Sequence, residues 1–148
     1  MNFETVPLAE LASKGVIPPS NSSKPVVLIV DDEQIIADTL AAILRRSGFT
    51  AMSTYQGSTA LEIARNSPPD LLLTDVAMPG MSGIDLAISI RQKFPLCKVL
   101  LFSGQASTTD LLTEARNAGH DLTCLQKPLH PSELLARISE ALALQPAC

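Results

Sequence analysis

The sequence alternates between short apolar runs and amphipathic segments, and this alternation restricts the fold more than any other feature. The first run, VVLIV at Val26–Val30, is continuous and rich in β-branched residues, as in strands that are buried on both faces. The next segment carries apolar residues at helical spacing between Ile36 and Leu44 and ends near Gly48. The pair therefore predicts a buried strand followed by a helix.

Four further strand–helix pairs are predicted along the chain. The strands are expected at 49–55, 71–74, 98–103 and 122–126, and the helices at 58–66, 84–94, from 107 to 119 and from 130–131 onwards. Strict alternation of this kind predicts a doubly wound α/β fold, with a parallel sheet, right-handed crossovers and helices on both faces. In such sheets the reactive crevice lies at the carboxyl ends of the strands.

The length of 148 residues fits one domain. Residues 1–24 are predicted to be an extension, with a short helix at Pro7–Lys14 and a linker that is rich in Pro, Ser and Asn. The folded domain is expected at 25–145, with a tail at 146–148. We expect no output domain after it, so the chain is predicted to act through contact with another protein.

Composition argues against several classes of function. The net charge is −4 and basic residues form no stripe, which disfavours a nucleic-acid surface. No window approaches the roughly 18 apolar residues of a membrane span, and the N-terminus lacks the features of a secretory signal. The 3 cysteines, Cys97, Cys124 and Cys148, have no CxxC spacing. Reduced thiols in a cytoplasmic protein are therefore expected, rather than disulfides or a zinc site.

Polar and charged residues follow four of the five predicted strands. They are Asp31 and Asp32 after the first strand, Asp75 after the third, Ser103 at the end of the fourth and Lys127 after the fifth. Each has an ordinary alternative role: either of the first two aspartates could cap the first helix, and Asp75 and Ser103 could form turns. Lys127 could be a solvated surface charge.

The five residues together favour a site over these separate roles. Clustered carboxylates repel one another unless a cation lies between them. A set of oxygen ligands without His or Cys favours Mg²⁺ or Mn²⁺ over zinc. An FMN-binding or phosphohydrolase fold of similar architecture is disfavoured, because the first strand is not followed by a glycine-rich phosphate loop or by the DxD pattern of aspartyl phosphatases.

Four motifs in this order, VVLIVDDEQ, LLLTDVAMPGMSG, LLFSG and LQKP, resemble the receiver domain of bacterial two-component response regulators. The resemblance extends from about Pro25 to Leu144 and implies the flavodoxin-like receiver fold, with strand order 2-1-3-4-5 and five helices. It also implies a phosphoprotein that takes a phosphoryl group from a histidine kinase or phosphotransfer protein.

The resemblance implies a role for each site residue. Asp75 is the expected phosphoacceptor, and Asp32, Asp75 and the backbone carbonyl of Ala77 are the expected direct ligands of Mg²⁺, with Asp31 acting through water. Ser103 and Lys127 are expected to contact phosphoryl oxygens. It further implies a cis peptide before Pro128 that aims Lys127 at the site.

Two features bear on signalling and on the lifetime of the phosphorylated state. The fourth helix, fifth strand and fifth helix form the signalling face of the family, where an aromatic residue usually lies three positions before the lysine; here Cys124 lies there. The usual aromatic switch is therefore not expected, although order in the loop after Ser103 could change, and a redox role for Cys124 is disfavoured. Ala77 and Gln105 flank the site. Ala77 cannot orient an attacking water, whereas the Gln105 side chain could, so moderately slow self-dephosphorylation is expected.

Two functional hypotheses follow from the sequence. The first is a stand-alone, Mg²⁺-dependent phosphoacceptor that passes its state to a protein partner. The second is a receiver-like docking module that works without phosphorylation. It is suggested by Cys124 and by the stretch from Gly119 to Lys127, which is about one residue longer than is usual in the family. The sequence leaves open the cognate kinase, the downstream partner and whether phosphorylation drives homodimerisation.

Overall fold

The computed structural model describes residues 24–104 and 108–143. Its strands are β1 (Val26–Val30), β2 (Thr50–Thr54), β3 (Leu71–Asp75), β4 (Lys98–Ser103) and β5 (Thr123–Gln126). Its helices are α1 (Gln34–Arg46), α2 (Gly57–Asn66), α3 (Gly83–Lys93), α4 (Thr108–Asn117) and α5 (Pro131–Ala143). Strands and helices alternate without exception over the described residues, as the hydrophobic pattern predicts.

The five strands form one parallel sheet in the order β2-β1-β3-β4-β5. This confirms the doubly wound fold and the predicted strand order. All carboxyl ends of the strands lie at one edge, so that Asp31, Asp75, Ser103 and Lys127 meet there. Strand β3 is the central strand of the sheet and is buried along its whole length, while the outermost strand β5 is only partly buried.

Helices cover both faces of the sheet, and each face has its own hydrophobic core. Helices α1 and α5 pack on one face, around side chains such as Leu44, Phe102 and Ile138. Helices α2, α3 and α4 pack on the other, around side chains such as Leu72, Ile90 and Leu101. Successive residues of a strand point to opposite faces, which is why neighbours such as Leu101 and Phe102 belong to different cores.

The predicted boundaries are right to within about one residue for most elements, which is the usual uncertainty at helix ends. Pro131 begins α5 as predicted, and the Lys127-Pro128 peptide is cis as the resemblance implied. β3 includes Asp75, which the sequence placed just after the strand. The predicted helix at Pro7–Lys14, the predicted start of the fourth helix at Ser107, and Gln105, which was expected to affect dephosphorylation, lie outside the described residues.

Among the described residues, no helix is long and apolar enough to span a membrane. The proposed division into 1–24, 25–145 and 146–148 stays a prediction.

Candidate functional site

The site lies where four strands end, and main-chain hydrogen bonds hold those ends together. The Asp31 amide donates to the Thr54 carbonyl at 3.2 Å, which ties the end of β1 to β2. The Val76 amide donates to the Phe102 carbonyl at 3.1 Å, and the Lys127 amide donates to the Ser103 carbonyl at 2.9 Å. The side chains at this edge therefore project from a continuous sheet rather than from separate loops.

Three carboxylates converge at this edge. Asp31, Asp32 and Asp75 each offer an oxygen, and these oxygens lie within 4.8 Å of one another. Asp31 and Asp75 are buried, at 0% and 6% exposure, while Asp32 is exposed at the mouth of the site. The structure thus brings together the three acidic residues that the sequence singled out.

Lys127 is the cation of the site. Its Nζ lies 3.3 Å from Asp31 Oδ2 and 3.3 Å from Asp75 Oδ1. It also lies 4.7 Å from the centroid of the Phe102 ring. Lys127 is therefore not the solvated surface charge that its residue type alone suggests.

The protonation equilibria reflect this crowding. Burial raises the pKa of Asp75, the charge of Asp31 raises it further, and Lys127 opposes both with a smaller effect. Partial burial lowers the pKa of Lys127, but the charges of Asp75 and Asp31 more than offset this, so that its net shift is upward. The ammonium is thus held in its charged form, while ionised Asp75 lacks sufficient compensating positive charge.

Ser103, Ala77 and Gly104 complete the cleft, which measures about 380 Å³. Ser103 ends β4 and is buried, and Ala77 is exposed on the rim, two residues after Asp75. A Cβ added at Gly104 would make only ordinary contacts with the Lys127 side chain, at 3.6 and 3.7 Å.

Asp31 has a structural role that differs from the predicted alternative. The residue at the N-cap of α1 is Glu33, so neither Asp31 nor Asp32 caps the helix, and that reading was wrong. Instead, Asp31 Oδ1 accepts a hydrogen bond of 2.9 Å from the Glu33 amide. This bond fixes the turn after β1 and leaves the other carboxylate oxygen to face Lys127.

Gly83 is a functional residue whose importance sequence reasoning missed. A Cβ built on Gly83 would lie 1.9 Å from the Asp75 carbonyl oxygen and 3.0 Å from the Val76 Cα. The Gly83 amide also donates to the Val76 carbonyl at 2.9 Å. The first residue of α3 therefore lies directly against the backbone that carries Asp75, and only glycine allows this approach.

Cys124 lies in β5, the outermost strand of the sheet on this side, and has intermediate exposure. Burial raises the pKa of its thiol, and the charge of Asp75 raises it further. Burial likewise raises the pKa of Cys97 to about 12. Both described thiols are therefore protonated near neutral pH, which argues against redox reactivity.

The sequence profile of the response regulator receiver domain matches residues 27–139, which include all of β2 to β5, β1 except its first residue, and most of α5. The chain belongs to this family. As a receiver domain, it has the fold and the acidic cluster that the four motifs led us to expect, with Lys127 in a position that suits a phosphoacceptor site.

Curated relatives of this receiver domain include larger regulators. The DNA-binding response regulator MtrA of Mycolicibacterium smegmatis is 33% identical over 112 residues, which cover 76% of this chain and 48% of that protein. SphR of Synechococcus elongatus, an alkaline phosphatase synthesis transcriptional regulatory protein, is 33% identical over 141 residues, which cover 88% and 54%. The chain thus spans about half the length of these relatives.

Solved receiver structures have the same architecture. A CheY-like receiver domain protein from Methanospirillum hungatei aligns with a TM-score of 0.73 and 31% identity, over 81% of this chain and 94% of that one. The chemotaxis protein CheY4 of Vibrio cholerae aligns with a TM-score of 0.72 and 25% identity, over 80% and 99%.

The donor set of the acidic cluster fits a hard divalent cation. All three ligand groups are carboxylates, their oxygens are mutually close, and Asp32 keeps one side of the cluster open to solvent. Such an acidic triad is typical of the magnesium site of receiver domains. Burial and the charges of Asp31 and Asp32 raise the pKa of Asp75, so a cation at this point relieves a real electrostatic cost.

Proposed function

We propose that this receiver domain accepts a phosphoryl group from a histidine kinase or phosphotransfer protein onto Asp75. The observation that carries the proposal is the convergence of Asp31, Asp32 and Asp75 within 4.8 Å, with the Lys127 ammonium 3.3 Å from both buried carboxylates. Phosphoryl transfer asks a protein mainly for positioning and for neutralisation of charge, and this constellation supplies both.

In the proposed step, an Oδ of Asp75 attacks the phosphorus of the phosphohistidine. A phosphorus–oxygen bond forms as the phosphorus–nitrogen bond breaks, and the imidazole nitrogen leaves with the electron pair and takes a proton from water. Lys127 stabilises the negative charge of one phosphoryl oxygen, and the Ser103 hydroxyl donates a hydrogen bond to another. The chain acts here as a phosphoacceptor whose carboxylate is consumed, and not as a turnover enzyme.

Asp32, Asp75 and the Ala77 carbonyl are the proposed direct ligands of Mg²⁺ or Mn²⁺, with Asp31 acting through water. The ion supplies Lewis-acid neutralisation of the transferred phosphoryl group. The chain's own contribution is to hold the ligand oxygens in place, through the Asp31–Glu33 turn and the Gly83 contact behind Asp75.

The output is proposed to pass by protein contact through α4, β5 and α5, in a cytoplasmic bacterial pathway. Cys124 in β5 carries no ring, so we propose that the loop between Ser103 and α4, rather than an aromatic rotamer, reports the state of Asp75. MtrA is named as a DNA-binding response regulator and SphR as a transcriptional regulatory protein, but this proposal concerns the receiver domain, and this chain spans about half the length of each. A homodimer formed on phosphorylation stays an open outcome.

The test is modification by acetyl phosphate in the presence of Mg²⁺, followed by intact-mass measurement. The wild-type chain should gain one phosphoryl group and Asp75→Asn should gain none. Asp70→Asn is the matched control, because it makes the same change just before the same strand and keeps an oxygen for the Val26 amide. A phosphoryl adduct on Asp75→Asn would show that Asp75 is not the acceptor.

The same experiment, together with amide spectra, tests the alternative function, a docking module that works without phosphorylation. That function predicts no adduct on the wild-type chain and no response of its amide spectrum to Mg²⁺ or beryllofluoride. The acidic cluster and the partly buried ammonium argue against this alternative. Two buried carboxylates around a lysine carry a desolvation cost, and docking of a partner does not require them.

A further inference from the structure

Three side chains at the carboxyl edge form a row across the sheet. Asp75 of β3 pairs in register with Phe102 of β4, and Asp31 follows Val30, which pairs with Thr74. By strand alternation all three side chains point to the face covered by α1 and α5. The row therefore consists of two carboxylates, those of Asp31 and Asp75, followed by the Phe102 ring.

Lys127 reaches this row from the far side. Phe102 pairs with Leu125 of β5, and Lys127 follows Leu125 by two residues. The lysine stem passes Gly104, just beyond the end of β4, where an added Cβ would lie 3.6 Å from Lys127 Cβ and 3.7 Å from Lys127 Cδ, and its ammonium then lies beside the Phe102 ring. The ring is fully buried and its centroid lies 4.7 Å from Nζ, within the range of a cation–π contact.

We propose that Phe102 is a positioning residue for phosphoryl transfer, whose ring holds the Lys127 ammonium between Asp31 and Asp75. The inference rests on the proposed function of Asp75 and adds a residue that acts through Lys127. A lysine stem is flexible and does not define the place of its charge by itself. The buried ring below and the carboxylates beside it restrict Nζ to the one place from which it can meet a phosphoryl group on Asp75.

The chemical nature of the ring matters for this role. An aromatic face attracts a cation without accepting a conventional hydrogen bond. The ammonium has three N–H donors, and among the described residues Asp31 and Asp75 are its recorded charged partners. A ring in place of a third carboxylate or carbonyl therefore steadies Lys127 while leaving a donor for the phosphoryl oxygen.

The competing explanation is that Phe102 only fills the core. Phe102→Leu separates the two, because it keeps an apolar side chain of similar size and removes the ring. Phe102→Tyr retains the ring and serves as the rescue variant. Leu100→Ala is the matched control for packing: Leu100 lies two residues earlier on the same strand and faces the same core, away from Lys127.

The measurement is the affinity for beryllofluoride, a phosphoryl mimic, at saturating Mg²⁺, with Mg²⁺ affinity measured separately. We expect Phe102→Leu to weaken beryllofluoride binding about three- to tenfold, with Mg²⁺ binding as tight as in the wild type. Phe102→Tyr should bind beryllofluoride within about twofold of the wild type. Leu100→Ala should lower the melting temperature and leave both affinities unchanged. If Phe102→Leu does not fold, Phe102→Met takes its place.

Two results would overturn the inference. One is wild-type affinity for beryllofluoride in Phe102→Leu; the other is an equal loss in Phe102→Leu, Phe102→Tyr and Leu100→Ala that follows their loss of stability. A wild-type chain that binds no beryllofluoride would overturn the proposed function and this inference with it. Normal binding by the wild type separates the failure of this inference from that of the proposed function.

Discussion

Replacing Gly83 by alanine tests how the strand that carries Asp75, the proposed phosphoacceptor, is held in place. A Cβ at this position would lie 1.9 Å from the Asp75 carbonyl oxygen, whereas real Cβ atoms essentially never come closer than 3.0 Å. The start of α3 and the end of β3 must then separate by at least about 1.1 Å. Both partners are backbone, and the Asp75 carbonyl also accepts a 3.0 Å hydrogen bond from the Thr74 hydroxyl, so there is no flexible side chain to absorb the change.

The displacement sets the expected magnitude. Overpacking of this kind costs about 1–3 kcal/mol of folding free energy, and alanine recovers at most about 1 kcal/mol relative to glycine in a helix. A misplacement of about 1 Å at a reacting group can cost about 100-fold in rate. We therefore expect Gly83→Ala to melt several degrees lower and to be phosphorylated by acetyl phosphate about 100-fold more slowly than the wild type.

Gly104→Ala is the matched control, since it makes the same substitution at the rim of the same cleft. Its Cβ would meet Lys127 side-chain atoms only at 3.6 and 3.7 Å, which are ordinary contacts. Thermal melting and the rate of phosphoryl incorporation, followed by intact mass, should be near the wild-type values. If Gly83→Ala matched Gly104→Ala in both measurements, the close approach of α3 to Asp75 would not be what positions the acceptor.

Two further predictions concern the charge and the lifetime of the site. Because the folded-state pKa of Asp75 is raised above its unfolded value, near 3.8, its contribution to stability is present below that pH and is lost as pH rises through the folded pKa. In the presence of a chelator, the free energy of unfolding should therefore fall more steeply with rising pH in the wild type than in Asp75→Asn. Equal slopes for the two proteins under these conditions would contradict this. Self-dephosphorylation should be slow because Ala77 has only a methyl group to offer an attacking water; a phosphate-release half-life of seconds, unchanged in Gln105→Ala, would count against it.

The fold and the polar residues of the site could be predicted from the sequence, because both depend on patterns of neighbouring residues. Apolar runs such as Val26–Val30 identify buried strands, and parallel topology then brings Asp31, Asp75 and Lys127 to one edge without knowledge of any distance. The same argument explains why the five polar residues at the strand ends were more informative together than any one of them alone. A single aspartate after a strand indicates no more than a turn.

The contacts that Gly83 and Phe102 make at the site could not be predicted from the sequence. In the sequence, Gly83 is simply the residue before the predicted helix at 84–94, because its contact with the Asp75 carbonyl depends on the path of the intervening loop. Phe102 reads as an ordinary core residue until the register pairs it with Asp75 and places it under Lys127. Alternation along β4 could have placed Phe102 on the face of Asp75, but the reach of the lysine could not be read from the sequence.

The clustering of three carboxylates, two of them buried, is electrostatically unfavourable, and the charge of the site indicates how this is offset. Three carboxylates around one ammonium carry a formal charge of −2, and two of the three are buried. A phosphoryl group on Asp75 replaces one negative charge by nearly two, so it deepens this imbalance unless a divalent cation is bound. Phosphorylation of Asp75 and binding of the cation must therefore strengthen each other, and by linkage the effect is reciprocal. Among the described residues, the ammonium of Lys127 is the cation recorded against these carboxylates, and one positive charge does not balance a phosphorylated Asp75. We therefore expect the position of this ammonium, and with it Phe102, to influence the stability of the phosphorylated state.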